Sequence, residues 1–246
     1  GTGAWEAAIV NTLSPGDKVL MVETGQFATL WRALAERMKI EVEFVPGDWR
    51  RGVNPDDIEA RLLKDKDHSF KAVMVVHSET STGVVSRIHE VRKAIDRAKH
   101  PALLMVDSIS GLGSVEYDHD GWGVDVTVCC SQKGLMLPPG LGFNAISEKA
   151  LAASKSNSSI RSYWDWHEVL NANKSGSWSY TPATNLLYGL KEAVAMLLEE
   201  GLDNVFARHK RYSAATRAAV AAWGLENLCQ DPREYSPILT AVVMPE

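Results

Sequence analysis

Four short apolar runs constrain this chain most: Lys18-Val19-Leu20-Met21-Val22, Ala72-Val73-Met74-Val75-Val76, Ala102-Leu103-Leu104-Met105-Val106 and Val124-Asp125-Val126-Thr127-Val128. A strand that is apolar at nearly every position has to be covered on both faces, as central strands of parallel sheets are. The stretches between the runs carry helical spacing, with Phe27, Leu30, Trp31, Leu34 and Met38 on one stripe and further helices predicted over 55–63 and 88–98. Residues 40–45 add a strand, and 141–146 is expected to run antiparallel to the rest. Strand, helix, strand in this order predicts an α/β fold, a mostly parallel sheet with helices on both faces.

The character changes after residue 148. Helices are predicted over 185–200 and 202–223, interrupted at Gly201, with aromatic-rich pieces at Tyr163-Trp164-Asp165-Trp166-His167 and Trp178-Ser179-Tyr180-Thr181-Pro182. A last strand is expected within 238–244, and one unpaired strand makes no domain. Residues 1–200 are therefore expected to form a large domain, and 201–246 a connecting helix with the start of an incomplete small one.

Charge and composition remove several functions. A net charge of -5 over 246 residues, with the basic residues scattered, offers no footprint for nucleic acid. No apolar stretch reaches the roughly 20 residues of a membrane span, and nothing at the start resembles a signal segment. Three cysteines are too few for a disulfide framework and the seven histidines are dispersed, so a reducing compartment without a structural metal is expected. A cytoplasmic setting fits.

The chemistry gathers where strands end. Ligands of such sheets bind beyond the carboxyl ends of the strands. One strand ends in the hydroxyl loop around Thr80, a second in Asp107 and a third runs into Ser131-Gln132-Lys133-Gly134. A lysine where an apolar strand runs out is expected to be partly desolvated, which favours a neutral amine able to attack a carbonyl. Asp107 next to a ring nitrogen would favour its protonated form. Gly1-Thr2-Gly3 opens a helix whose first amides are free, an arrangement that receives a phosphate. An amine, a carboxylate and an anion seat are what pyridoxal 5'-phosphate requires at its aldehyde, ring nitrogen and phosphate.

The chain resembles the class V, fold type I pyridoxal-phosphate aminotransferases over essentially its whole length. The resemblance is carried by Gly1-Thr2-Gly3-Ala4-Trp5-Glu6, Gly25-Gln26-Phe27, Glu79-Thr80-Ser81-Thr82-Gly83, Val106-Asp107-Ser108, Gly121-Trp122-Gly123-Val124-Asp125, Ser131-Gln132-Lys133 and Tyr180-Thr181-Pro182. It implies the large domain of that fold with a seven-stranded type of sheet. It further implies Lys133 as the lysine that holds the cofactor and Asp107 as the partner of the ring nitrogen. Phe27 falls where the family stacks an aromatic ring on the cofactor, and Ile109 where an apolar residue covers the opposite face. Thr80 matches a hydroxyl beside the phenolic oxygen, and Gly1, Thr2, Gly3 and Gln132 match the phosphate cradle. Tyr180 and Thr181 match a segment reaching the phosphate of the neighbouring subunit, which implies a homodimer.

The implied substrates are a small amino acid and a 2-oxo acid: L-serine gives its amino group to glyoxylate, producing hydroxypyruvate and glycine. Alanine–glyoxylate transamination, another class V reaction, or a non-catalytic dimer of the same fold are the alternatives. Within such a family a plant member would be peroxisomal. Relative to the pattern, an N-terminal segment and most of a small C-terminal domain are missing, together with the arginine that grips the substrate carboxylate. The sequence is thus expected to be part of a longer protein, or a fragment with impaired activity.

Overall fold

The structure, a computed structural model, describes residues 1–245. Helix α1 (Thr2–Thr12) leads into β1 (Lys18–Val22), α2 (Gln26–Arg37), β2 (Glu41–Val45), α3 (Pro55–Lys64) and β3 (Phe70–Val76). A small ladder of β4 (Ser78–Glu79) and β5 (Val84–Val85) precedes α4 (Ile88–Arg97), β6 (Leu103–Asp107), β7 (Val126–Cys130) and β8 (Gly142–Ile146). Then come α5 (Glu148–Ser156), α6 (Trp166–Lys174), α7 (Thr184–Glu200), α8 (Leu202–Ala222), β9 (Glu226–Asn227) and β10 (Val242–Val243).

The main sheet has the order β2-β1-β3-β6-β7-β8. Its first five strands are parallel and β8 is antiparallel to β7, as expected. Among the described residues the sheet therefore has six strands, one fewer than the seven the resemblance implied, and β2 and β8 are its edges. The pleat explains the apolar runs. Val19, Met21, Ala72, Met74 and Met105 face one layer with Trp5, Ile9 and Trp31, whereas Leu20, Val22, Val73, Val75 and Leu104 face Ile58, Ile88, Val91 and Ile95 on the other. Both faces are closed by helices.

Local signals set the helix ends. Asn54 caps α3 by accepting the amide of Asp56, with Pro55 at the first helical position. Helix α1 is buried along most of its circumference from Ala4 to Thr12, sparing Glu6. It lies between the sheet and α5, so both of its sides are covered. Gly201 separates α7 from α8 at φ +82, a conformation that suits glycine.

The expected terminal strand contracts to Val242–Val243, and it is not unpaired: it forms a two-residue antiparallel ladder with Glu226–Asn227. An apolar, β-branched stretch becomes strand only as far as a neighbour supplies ladder bonds. No helix among the described residues is long and apolar enough to cross a membrane.

Candidate active site

The chain passes outward from β1 to β2 and returns on the other side of β1 as β3, so a crevice opens at the carboxyl ends of the strands around this reversal. A cavity of about 240 Å³ lies there. Gly1, Thr2, Phe27, Thr80, Asp107, Ile109, Gln132 and Lys133 line it, joined by Trp5, Val76, Ser78 and Ser110. Strand ends contribute: Phe27 lies beyond β1, Thr80 follows β4 just past the end of β3, Asp107 closes β6 and Lys133 lies beyond β7.

Asp107 is 3% exposed. Its Oδ1 accepts the amide of Ile109 at 2.7 Å and its Oδ2 accepts the indole Nε1–H of Trp5 at 2.9 Å. Burial pushes its carboxyl up to about 7, and these two donors only partly offset that. A cation brought to this carboxylate would relieve the burial.

Lys133 sits three residues beyond the last residue of β7, in a turn held by Ser131. The Ser131 hydroxyl donates to the carbonyl of Pro138 at 2.8 Å and accepts the amide of Leu141 at 3.2 Å. The next residue, Gly134, presses against the chain after β6: a Cβ there would lie 2.1 Å from the Leu112 carbonyl oxygen. Leu135 then anchors the turn among Leu197 and Val205. Lys133 itself is exposed, contrary to the desolvation expected at an apolar strand end. The strand stops at Cys130, and the turn lifts the lysine clear of the apolar wall.

The helix start behaves as the glycines suggested. Ala4 and Trp5 donate to the Gly1 carbonyl at 2.9 and 3.0 Å, and the amides of Thr2 and Gly3 have no acceptor among the described residues. Gln132 Oε1 is buried without a hydrogen-bond partner. Gly3, expected in the same cradle, does not line the cavity; the side of it that a Cβ would occupy meets Trp164 at 2.8 Å. Phe27 and Ile109 are half-buried apolar walls, and the Thr80 hydroxyl bonds that of Ser110.

Tyr180 and Thr181 do not join this group. Tyr180 is 41% exposed, with its hydroxyl 3.1 Å from Ser162 Oγ and its ring 4.9 Å from that of Tyr163. A second cavity, about 340 Å³, shares Ser78, Thr80, Ser110 and Lys133 with the first and reaches His209 and Arg208, whose guanidinium is paired with Glu200 through Nε and Nη2.

Sequence reasoning assigned no role to Trp5 or Glu79. Glu79 is 1% exposed, and its carboxylate accepts amides from Phe27, Ala28 and Ser81. An acidic residue three positions beyond an apolar strand was the available signal, because a buried carboxylate needs donors. Taken together, the cavity offers an exposed amine, a buried carboxylate, a helix start with unpaired amides and two apolar walls.

The family model described as Aminotransferase class-V matches residues 1–245. A serine–glyoxylate aminotransferase of Methylorubrum extorquens is 50% identical, with the match covering 100% of this chain and 62% of that protein. The serine–glyoxylate aminotransferase of Arabidopsis thaliana is 46% identical, covering 100% and 61%. Among solved structures, the alanine–glyoxylate aminotransferase of Nostoc sp. superposes with a TM-score of 0.91 at 29% identity, over 100% of this chain and 64% of that one. The chain thus spans about three fifths of the length of the curated relatives it matches.

Proposed function

The chain belongs to the class-V aminotransferase family, and on that footing we propose that it binds pyridoxal 5'-phosphate in the 240 Å³ cavity and transfers the amino group of L-serine to glyoxylate. The residues fit the cofactor. Free amides of Thr2 and Gly3 suit a dianionic phosphate, which a helix start favours through its unpaired N–H groups and its dipole. The half-buried walls of Phe27 and Ile109 suit the two faces of a flat ring. The buried Asp107 carboxylate suits a protonated ring nitrogen, since an opposite charge offsets its desolvation. When bound, the cofactor supplies an aldehyde that joins amino groups covalently and a ring that takes up electrons from a broken Cα–H bond.

The protein's own residues do the rest. Lys133 would hold the cofactor, and its amine, once free, would remove the Cα proton of the donor as general base. The Thr80 and Ser110 hydroxyls supply donors at the mouth of the cavity. The single observation that carries the reading is that Lys133, Asp107 and the Gly1-Thr2 helix start, distant in sequence, line one cavity. Serine as donor and glyoxylate as acceptor are supported by the relatives at 46–50% identity, which bear that name. A homodimer in which Tyr180 and Thr181 approach the partner's phosphate seat accords with their lying off the cavity wall of their own chain.

The test combines covalent trapping with turnover. The full-length protein is incubated with pyridoxal 5'-phosphate, reduced with borohydride and digested; the phosphopyridoxyl mass is expected on the Lys133 peptide and absent from Lys133→Ala. Hydroxypyruvate should form from serine and glyoxylate with the wild type alone. Label on a different lysine, or turnover by Lys133→Ala at the wild-type rate, sinks the reading.

A further inference from the structure

Trp5 is a residue to which neither the sequence pattern nor the proposed reaction gives a task. Its indole N–H donates to Asp107 Oδ2 at 2.9 Å, across 102 positions of sequence, and both residues are buried, at 5% and 3% exposure. The ring is held from behind: Trp31, fully buried, stacks on it at 5.8 Å with the planes 14° apart. An indole packed in this way cannot turn its N–H elsewhere without losing that contact. Trp5 also stands one helical turn after the free amides of Thr2 and Gly3, roughly 4.5 Å along the axis from Thr2.

We propose that Trp5 is a positioning residue that locks the Asp107 carboxylate in the orientation that meets the cofactor's ring nitrogen, so that the first turn of α1 sets both the phosphate seat and the ring-nitrogen seat. This rests on the reading of the cavity as a pyridoxal 5'-phosphate site. With Oδ1 committed to the Ile109 amide and Oδ2 to Trp5, the carboxylate plane is defined by two donors, on a residue that lines the cavity and keeps lone pairs to spare. A carboxylate with one donor could rotate about its Cβ–Cγ bond. Two donors on different elements, α1 and the turn after β6, remove that freedom before the ligand arrives, and the cost of ordering is not paid during binding.

The deciding variants are Trp5→Phe, which keeps a stacking ring but loses the N–H, and replacement of Trp5 by benzothienylalanine, which keeps the full bicyclic shape and loses only the donor. Both are made in the full-length protein and read by the dissociation constant of pyridoxal 5'-phosphate and by the 15N shift of cofactor labelled at the ring nitrogen. Loss of a hydrogen bond to a charged group should weaken cofactor binding about tenfold or more and move the shift towards the unprotonated nitrogen. The thermal midpoint of the cofactor-free benzothienylalanine protein should stay near the wild-type value, which separates orientation from packing. A wild-type dissociation constant and 15N shift in the benzothienylalanine protein overturn the role of Trp5 while leaving the cofactor reading intact. Failure of the wild type itself to take up pyridoxal 5'-phosphate overturns both.

Discussion

The carboxylate of Glu79 accepts the backbone amide of Phe27 at 3.3 Å through Oε1, while Oε2 accepts that of Ala28 at 3.1 Å. Oε1 also takes the amide and hydroxyl of Ser81, at 3.1 and 2.7 Å. The last residue of β4 thus caps the helix after β1, and the aromatic wall of the cavity is held by a carboxylate 52 positions away. Replacing Glu79 with Ala leaves the α2 amides without an acceptor and should cost about 2 kcal/mol. Glu79→Gln, which keeps one oxygen for the crowded side, should cost less. Urea denaturation of the three proteins gives the order; equal midpoints would show that the cap contributes nothing.

Gly134 leaves no room for a side chain, because its Cβ would meet a backbone oxygen of Leu112 at 2.1 Å, and a backbone atom cannot swing aside. Gly134→Ala should destabilise by about 1–3 kcal/mol through forced backbone shifts and should lower the yield of borohydride-trapped cofactor on Lys133. Both a lower thermal midpoint and weaker labelling are expected, whereas unchanged labelling would mean that the turn adjusts without moving the lysine.

Two buried groups give cofactor-free stability an internal cancellation with pH. Burial raises the Asp107 carboxyl from 3.8 to about 7, so its contribution is present below pH 3.8 and is lost as pH rises through 7. Burial lowers His77 from 6.5 to about 4, so its contribution is present above pH 6.5 and is lost as pH falls through 4. Between about pH 4 and 6.5 the two oppose each other. His77→Gln should expose the Asp107 slope, a stability that declines with pH relative to wild type by up to about 1.4 kcal/mol per pH unit. Asp107→Asn should show the opposite slope. Denaturation at pH 4.5, 5.5 and 6.5 measures both, and parallel curves for all three proteins would contradict the assignment.

Asp107→Asn should also bind pyridoxal 5'-phosphate more weakly, by on the order of 100-fold, since it removes the charge facing the ring nitrogen at a buried site. Fluorescence titration of the cofactor-free variant reads this directly. Wild-type affinity would remove Asp107 from the ring-nitrogen role.

Much of the architecture was legible because the apolar runs are short and apolar at nearly every position, and helical periods separate the first three of them. Lys18–Val22 emerges as a strand at its predicted limits, and the helix predicted over 88–98 spans Ile88–Arg97. Strand-end placement then brought Thr80, Asp107 and Lys133 to one cavity. The all-round burial of α1 was not legible, because its composition suits either a half-covered or a fully covered helix, and only the neighbours choose.

The linear pattern by itself determined which residues stand at strand ends, since strand and helix periods are properties of adjacent positions. What only the tertiary structure decided are the pairings across long separations: Trp5 with Asp107, Glu79 with Phe27, and the short ladder that Val242–Val243 makes with Glu226–Asn227. It also decided the exposure of Lys133, which depends on how Ser131 and Gly134 bend the turn against Leu112 and Pro138. Such contacts carry no local period. They are set by which surfaces meet once the two faces of the sheet have been covered.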